Sequence, residues 1–343
     1  MRVLILGGSS FMGPATVQRL LERGCEVALF NRGEREQKKT LAFPIPSQVR
    51  RFAGNRRDLA ASAEELRAFK PEVVLDMIAM SEADARALMD VFRGVARRTV
   101  VLSSMDVYRS FGLLFRRETG KTLQEPETED SPVREEFFLY KGKMPKGDDY
   151  EKILAERVVF SEPEAFPSTV LRLPMVFGPG DDQRRIFPYL KRMDDGRPAI
   201  PLGEKMARWR TTRGYVEDAA EAIAACVLDD RAANRLYNVG YPEHQPEREW
   251  VELIAQAAGW SGKIVEVPDE KLEDEASEVD MTVPLVVDAS RIRRELSLPP
   301  LTPIDEALRR TVAWDRAHLP AALPPEMFNY EREDVLMAEA TKA

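Results

Sequence analysis

The opening segment constrains this chain more than any other. Val3 to Leu6 is wholly apolar, and Gly7-Gly8-Ser9-Ser10-Phe11-Met12-Gly13 is a turn of mostly small residues. From Pro14 to Arg23 the spacing is helical, with Val17, Leu20 and Leu21 on one side. A short run that is apolar at every position reads as a strand buried on both faces. Pro14 suits a first helical turn, and Gly24 suits the position just past a helix end. Glu26 to Phe30 then reads as a second strand. Strand, glycine turn, helix and strand make a βαβ unit, which implies a parallel sheet.

The alternation continues downstream. Glu64 to Phe69 reads as helix stopped by Pro71, and Val73 to Ile78 as strand. Ser81 caps a helix running to about Phe92, with Asp84 placed for a capping box. Thr99 to Leu102 is a strand, Ile153 to Phe160 lies on a helix beginning near Asp149, and Thr169 to Leu173 is a further buried strand. The pattern predicts an α/β fold with a doubly wound parallel sheet. Residues 109–148 carry many charges and prolines with little periodicity, and read as a long surface excursion of a size that is often functional. Beyond Leu173 the pattern is mixed and proline-rich, which predicts a smaller C-terminal lobe. Arg213 to Val216, the helix Asp218 to Leu228 and the strand Leu236 to Val239 are expected to return to the main sheet. The expected division is therefore 1–173 plus 213–241 for the sheet domain and 174–212 plus 242–319 for the lobe. Residues 320–343 read as a loosely packed tail.

Composition narrows the function classes. A net charge of −8 argues against a large nucleic-acid footprint, because phosphate binding needs a basic face. Cys25 and Cys226 both sit in apolar surroundings and read as buried reduced thiols. His244 and His318 are far apart in sequence, so no metal site is expected. The initial apolar run is too short for a signal-peptide core and no stretch approaches a membrane span, which together predict a cytoplasmic protein.

A glycine turn between a strand and a helix N-terminus supplies close backbone approach, N–H donors and a favourable dipole for a pyrophosphate. Gly7, Gly8, Ser9, Ser10, Phe11, Met12 and Gly13 are therefore candidate dinucleotide contacts, with Ser10 in place of a middle glycine. The second strand ends in Asn31-Arg32. An NAD-selective site usually has an acidic residue there for the ribose hydroxyls. Asn31 is neutral and Arg32 can pair with a 2′-phosphate, so NADP is preferred over NAD.

With these residues the chain resembles the extended short-chain dehydrogenase/reductases of the NAD-dependent epimerase/dehydratase family, whose cofactor domain is a Rossmann fold. The resemblance runs over roughly residues 1–317. It is carried by Leu6 to Gly13, Phe30-Asn31-Arg32-Gly33, Asn55-Arg56-Arg57-Asp58-Leu59 and Ser103-Ser104-Met105-Asp106-Val107-Tyr108. Leu171 to Gly180, Tyr215 to Ala220, Leu236 to Gly240 and the helix up to Trp314 complete it. The resemblance implies that Asp58 and Leu59 contact adenine, and that Met77, Ile78, Ala79 and Ser103 line the cofactor. It also implies that Pro174, Met175 and Val176 lie near the nicotinamide. Asp58 is in addition a candidate N-cap for a helix from Leu59.

Members of the family usually oxidise a sugar carbon transiently, with a tyrosinate as base, a lysine four residues on and a Ser/Thr hydroxyl orienting the substrate. Ser104 matches the hydroxyl position, and Lys152 matches the lysine, which would also touch the cofactor. The residue four before Lys152 is Asp148, where the family has tyrosine, and Tyr150 is only two before it. Residues two apart on a regular helix diverge by about 200°, and residues four apart by about 40°. Tyr150 can take the usual role only if the helix begins near Asp149 or Tyr150. Three readings stay open: Tyr150 as a shifted base; Asp106 or Asp148 as the proton-transfer group of a different reaction; or a cofactor site without chemistry. Asp106 stands beside the Ser/Thr position, where dehydratase members carry acidic residues.

On the substrate side, Lys205 to Arg213 is a basic run with one aromatic. Related epimerases hold a nucleotide diphosphate with an arginine just before the Tyr215-Val216-Glu217-Asp218 segment. That slot falls on Thr211, with Arg210 beside it, so Arg208, Arg210 and Arg213 are candidates for holding an anionic substrate. The leading expectation is an NAD(P)-dependent epimerase, dehydratase or reductase acting on a hydroxyl-bearing, sugar-like small molecule, with the family's paired-helix homodimer as an implication. The competing expectation is a vestigial cofactor sensor or RNA-binding relative, since the turn and Phe30-Asn31-Arg32-Gly33 also resemble chloroplast stem-loop RNA-binding proteins.

Overall fold

The computed structural model describes residues 1–33, 41–121, 125–143, 147–271, 279–320 and 328–340. In chain order the sheet domain begins β1 (Arg2–Leu6), α1 (Met12–Glu22), β2 (Glu26–Asn31), β3 (Arg50–Ala53), a 3-10 turn at Arg56–Ser62 and α2 (Ala63–Ala68). It continues β4 (Val73–Asp76), α3 (Glu82–Phe92), β5 (Arg98–Ser104), α4 (Arg109–Leu114), α5 (Lys152–Val159) and β6 (Ser168–Leu173). The rest is β7 (Met175–Phe177), α6 (Phe187–Asp194), β8 (Ala199–Gly203), α7 (Glu204–Arg208), β9 (Arg213–Tyr215), α8 (Val216–Leu228) and β10 (Arg235–Asn238). Finally come α9 (Glu247–Ala258), β11 (Lys263–Val267), α10 (Ser290–Leu296), α11 (Ile304–Ala317) and α12 (Tyr330–Ala340).

Seven parallel strands form one sheet in the order β3-β2-β1-β4-β5-β6-β10. Its inner strands β1, β4, β5 and β6 are buried on both faces, which is why β1 and β4 read as near-continuous apolar runs. In β1, Val3 and Ile5 point to one layer with Val17 and Leu20 of α1 and Ile223 of α8. Leu4 and Leu6 point to the other layer with Leu88 of α3 and Val159 of α5. Each such side chain stabilises the fold by about 1.5–3 kcal/mol. The break at β1/β4 puts the carboxyl ends of both strands beside the glycine turn, the usual ligand crevice of such sheets.

Local signals mostly act as expected. Ser81 caps α3 by accepting from the Asp84 N–H at 3.2 Å, and the Asp84 carboxylate accepts from the Met80 N–H at 3.0 Å. Both cysteines are free and buried. Three expectations are corrected. First, β9 does not rejoin the main sheet. It pairs with β7, because Pro174 interrupts the ladder after β6 and sends the following strand out of the sheet. Second, the 109–148 excursion is not only a surface loop: it buries Glu127, Glu129 and Arg134, each paired or hydrogen-bonded. Third, α12 is docked rather than loose. Met337 is buried and Arg192 of α6 pairs with Glu333 at 2.6 Å, beside the parallel β8/β11 ladder. Residues 321–327 and 341–343 of the expected tail lie outside the described residues. No described helix is long and apolar enough to cross a membrane.

Candidate functional site

Gly7 and Gly8 leave β1 with φ of 94° and 77°, a region open to glycine at little cost. A side chain at Gly13 would put its Cβ 2.4 Å from the Gly8 carbonyl, so α1 starts in direct contact with the turn. Among the described residues no side chain caps α1, and its first turn holds no acidic residue. Uncapped N–H groups at the positive end of a helix, beside a glycine turn, fit a pyrophosphate. The second strand ends nearby, where the Asn31 side chain takes the Gly33 N–H at 2.7 Å. Arg32 is exposed and makes no ion pair among the described residues.

The rest of the crevice comes from neighbouring strands. Asn55, not Asp58, caps the 3-10 turn, because the Asn55 carboxamide already accepts from Arg57 N–H at 3.1 Å. Asp58 is exposed and Leu59 is buried in the core. Met77, Ile78 and Ala79 follow β4, with Ile78 packed against Gly7. Arg56 holds their start in place through Asp76, at 3.0 Å from Nε. Pro174, Met175 and Val176 lie where β6 gives way to β7. Met175 packs against an apolar cluster that includes Met105, Tyr108, Ile153 and Trp209.

The start of α5 decides the chemistry. The helix begins at Lys152, with Glu151 as its N-cap and Tyr150 in the chain before it. Glu151 caps the Ile153 N–H at 3.0 Å and holds both arms of the fully buried Arg134, at 2.8 and 2.9 Å. Arg134 also donates from Nε to the Asp106 carbonyl at 2.8 Å. This clamp turns Tyr150 inward, where its hydroxyl donates to Asp106 Oδ2 at 2.7 Å. Ser104 lies near enough to the same hydroxyl to favour its ionised form. The Lys152 ammonium sits 5.8 Å from the centre of the Tyr150 ring and donates to the carbonyls of Ala79 and Leu102, at 2.7 and 2.9 Å. Asp148 is exposed and accepts from the Gly142 N–H at 2.9 Å.

Electrostatics here are those of a buried cluster. Burial drives the Asp106 carboxyl above the usual carboxylate range, against the Tyr150 hydroxyl, Arg134 and Lys152, which favour its anion. The Tyr150 phenol is pushed well up by burial and then by the Asp106 charge. Burial lowers Lys152, opposed by Asp106, Asp76, Asp84 and Glu156. Ser103 does not face this group: it donates to Glu156 at 2.5 Å, and Glu156 pairs with Arg172 at 2.7 Å.

The three arginines of the basic run are not brought to one point. Arg208 is largely exposed and 4.0 Å from Glu266, and Arg210 pairs with Glu125. Arg213 is buried, stacked 4.4 Å from the Trp250 ring centre and paired with Glu247, so it ties β9 to α9. Sequence reasoning missed Arg134, Glu151 and Tyr140. Tyr140 lies edge-on to Tyr150, with 5.2 Å between ring centres. No periodicity marks that loop, so only the tertiary fold brings these residues in. No described group of three or more His, Cys, Asp or Glu could hold a metal ion.

Comparison with known proteins agrees with this geometry. The sequence profile of the NAD dependent epimerase/dehydratase family matches residues 3–240. A 2′-dehydrokanamycin reductase from Streptomyces kanamyceticus is 27% identical, over 80% of this chain and 72% of that protein. A dTDP-glucose 4,6-dehydratase from Salmonella typhimurium is 22% identical, over 92% of each chain. Among solved structures, a Thermus thermophilus UDP-glucose 4-epimerase in complex with NAD superposes with a TM-score of 0.67. The alignment spans 93% of this chain and all of that one at 22% identity, so it speaks for the fold. A match over more than half of the chain, on a seven-stranded parallel sheet with the glycine turn at its crevice, places this protein in the NAD-dependent epimerase/dehydratase family.

Proposed function

We propose that this protein is an NADP(H)- or NAD(H)-dependent epimerase, dehydratase or reductase acting at a hydroxyl-bearing carbon of a sugar-like small molecule. One observation carries the reading: α5 begins at Lys152, so the Tyr150 hydroxyl meets Ser104 and Asp106 beside the lysine. Reductase, dehydratase and epimerase relatives, two of them named for nucleotide sugars, support the substrate class.

The turn from Gly7 to Gly13 would hold the pyrophosphate, Asn31 and Arg32 the adenosine ribose, and Asp58, Leu59 and Met77 to Ala79 the adenine side. Pro174, Met175 and Val176 would flank the nicotinamide, which when bound supplies the two-electron redox chemistry. Arg32, exposed at the end of β2, favours the 2′-phosphate of NADP. Tyr150 takes the proton of the substrate hydroxyl, Ser104 orients that hydroxyl, and Lys152 provides a fixed positive charge beside the Tyr150 ring. Asp106 Oδ1 is buried with no hydrogen-bond partner among the described residues and would accept from a second substrate hydroxyl. Arg208 and Arg210 would exchange their carboxylate partners for an anionic substrate group. In this scheme residues 1–173 plus 213–241 serve the cofactor and 174–212 plus 242–319 the substrate.

Calorimetry with NADP+ and NAD+ tests the cofactor, and the reduced-nicotinamide absorbance that appears when nucleotide sugars are added tests the chemistry. Tyr150→Phe should abolish that signal. Absence of binding by both nucleotides would defeat the reading.

A further inference from the structure

The Asp106 carboxylate lies between two tyrosines from different parts of the chain. Tyr150 donates to Oδ2 at 2.7 Å from the segment before α5, and Tyr140 makes a longer 3.5 Å contact to the same oxygen from the excursion. The two rings are edge-on at 81°, and Phe115 supports Tyr140 at 6.1 Å between ring centres. Asp106 is 3% exposed and sits on a 3-10 turn after β5, its backbone carbonyl held by Arg134. The charged groups facing it are Arg134 from the excursion, Glu151 and Lys152 from the start of α5, together with the two phenols. Lys152 spends two of its three N–H donors on main-chain carbonyls. The lysine is thus fixed by the backbone, while the hydroxyl of Tyr150 is committed to a carboxylate.

We propose that the base of this site is a tyrosine–carboxylate dyad, with Asp106 as the terminal proton acceptor behind Tyr150 and Tyr140 as the residue that positions and tunes Asp106. This deepens the proposed function and rests on it for the identity of the proton donor. The step is a paired transfer. The substrate O–H bond breaks as its proton passes to the Tyr150 oxygen, and the Tyr150 O–H bond breaks as that proton passes to Asp106 Oδ2. Tyr150 is neutral before and after, Asp106 ends as the neutral acid, and the negative charge moves to the substrate oxygen. The redox partner that then accepts the electron pair from the substrate carbon is the nicotinamide dinucleotide. Burial of Asp106 supports this direction, because it raises the carboxyl's proton affinity while the same burial disfavours a free phenolate. The pair titrates as a unit, and its proton affinity follows the carboxyl rather than the phenol.

The test is a pH titration of the full-length protein by NMR, with 13C at tyrosine Cζ and aspartate Cγ, assigned through Tyr140→Phe and Tyr150→Phe. Neither substrate nor cofactor is needed, so the result is independent of turnover. Asp106 should titrate above the ordinary aspartate value. Removing the strong donor in Tyr150→Phe should raise it by about one further pH unit, and removing the longer one in Tyr140→Phe by about half a unit. In Asp106→Asn the Tyr150 signal should ionise at least about one pH unit lower than in the unaltered protein. If Asp106→Asn does not fold, the two phenylalanine variants, which keep the rings, decide the matter through the Asp106 signal alone. An Asp106 carboxyl that titrates normally, or that neither phenylalanine variant moves, overturns the dyad. A shifted Asp106 in a protein that turns over no sugar would leave the dyad standing and defeat the proposed substrate instead.

Discussion

Replacing Arg134 with methionine should cost more than any surface change in this protein. The guanidinium and the Glu151 carboxylate are both 0% exposed and joined by two hydrogen bonds, of 2.8 and 2.9 Å. Methionine fills similar volume but leaves the carboxylate buried with only the backbone N–H groups of Phe138 and Ile153. Breaking one partner of a buried pair costs about 3–5 kcal/mol, because the remaining charge is stranded in a low-dielectric site. Unfolding entropy of about 2.1 cal/mol/K per residue gives about 0.7 kcal/mol/K for a chain of 343 residues. Arg134→Met should therefore lower Tm by about 4–7 °C in scanning calorimetry. Adding Glu151→Gln should recover part of that loss, so the double variant sits above the sum of the singles. Tyr150 should also lose its fixed orientation, with kcat falling more than KM rises. A Tm within about 1 °C of the unaltered protein, or strictly additive single variants, would refute the idea that this clamp holds the start of α5.

Tyr150→Phe should lower turnover by about 10²–10⁴-fold, whereas Asp148→Asn, at an exposed turn, should leave it within about twofold; steady-state kinetics on both variants separates the two positions. Gly13→Ala should abolish nucleotide binding in calorimetry, because its Cβ would collide with the Gly8 carbonyl. Glu127 accepts from the Ser110 hydroxyl and is raised by burial from 4.5 to about 7. A carboxyl that binds its proton more tightly when folded stabilises the fold at acid pH, and that contribution is lost as pH rises from about 4.5 to about 7. The loss is on the order of 3 kcal/mol, should appear as a falling urea midpoint, and should vanish in Glu127→Gln. Arg32→Ala should weaken NADP+ binding by about tenfold with little change for NAD+, as measured by calorimetry.

The parallel sheet was legible because its signals are local. β1, the glycine turn, α1 and β2 follow from one apolar run, one turn and one helical face, and Ser81 with Asp84 announces α3. The β3 strand, Arg50–Ala53, escapes such reading because two of its four residues are arginines at the sheet edge. Ser104, Lys152 and Asp106 were visible as residue types in family-like segments, but their geometry depends on where α5 begins. The expected start near Asp149 is a few residues early, because the Glu151 cap is specified by a distant arginine rather than by its own type. Arg134 and Tyr140 carry no sequence signal at all: a buried arginine in a charged, proline-rich stretch looks like a solvated one until its partner is known. The three arginines of the basic run looked equivalent in sequence, and only packing against Trp250 separates Arg213 from the other two.

The place of Tyr150, in the chain just before the helix, changes what counts as a match. Glu151, between the two residues, is extended, and extended backbone covers more distance per residue than helix, so a phenol two places ahead of the lysine reaches the pocket that the usual spacing serves from four. Pattern searches keyed to tyrosine, any three residues, then lysine would discard this chain and any other in which the helix yields its first turn to a capping glutamate. Such chains are better recognised by a buried arginine upstream, which keeps the unwound segment in place.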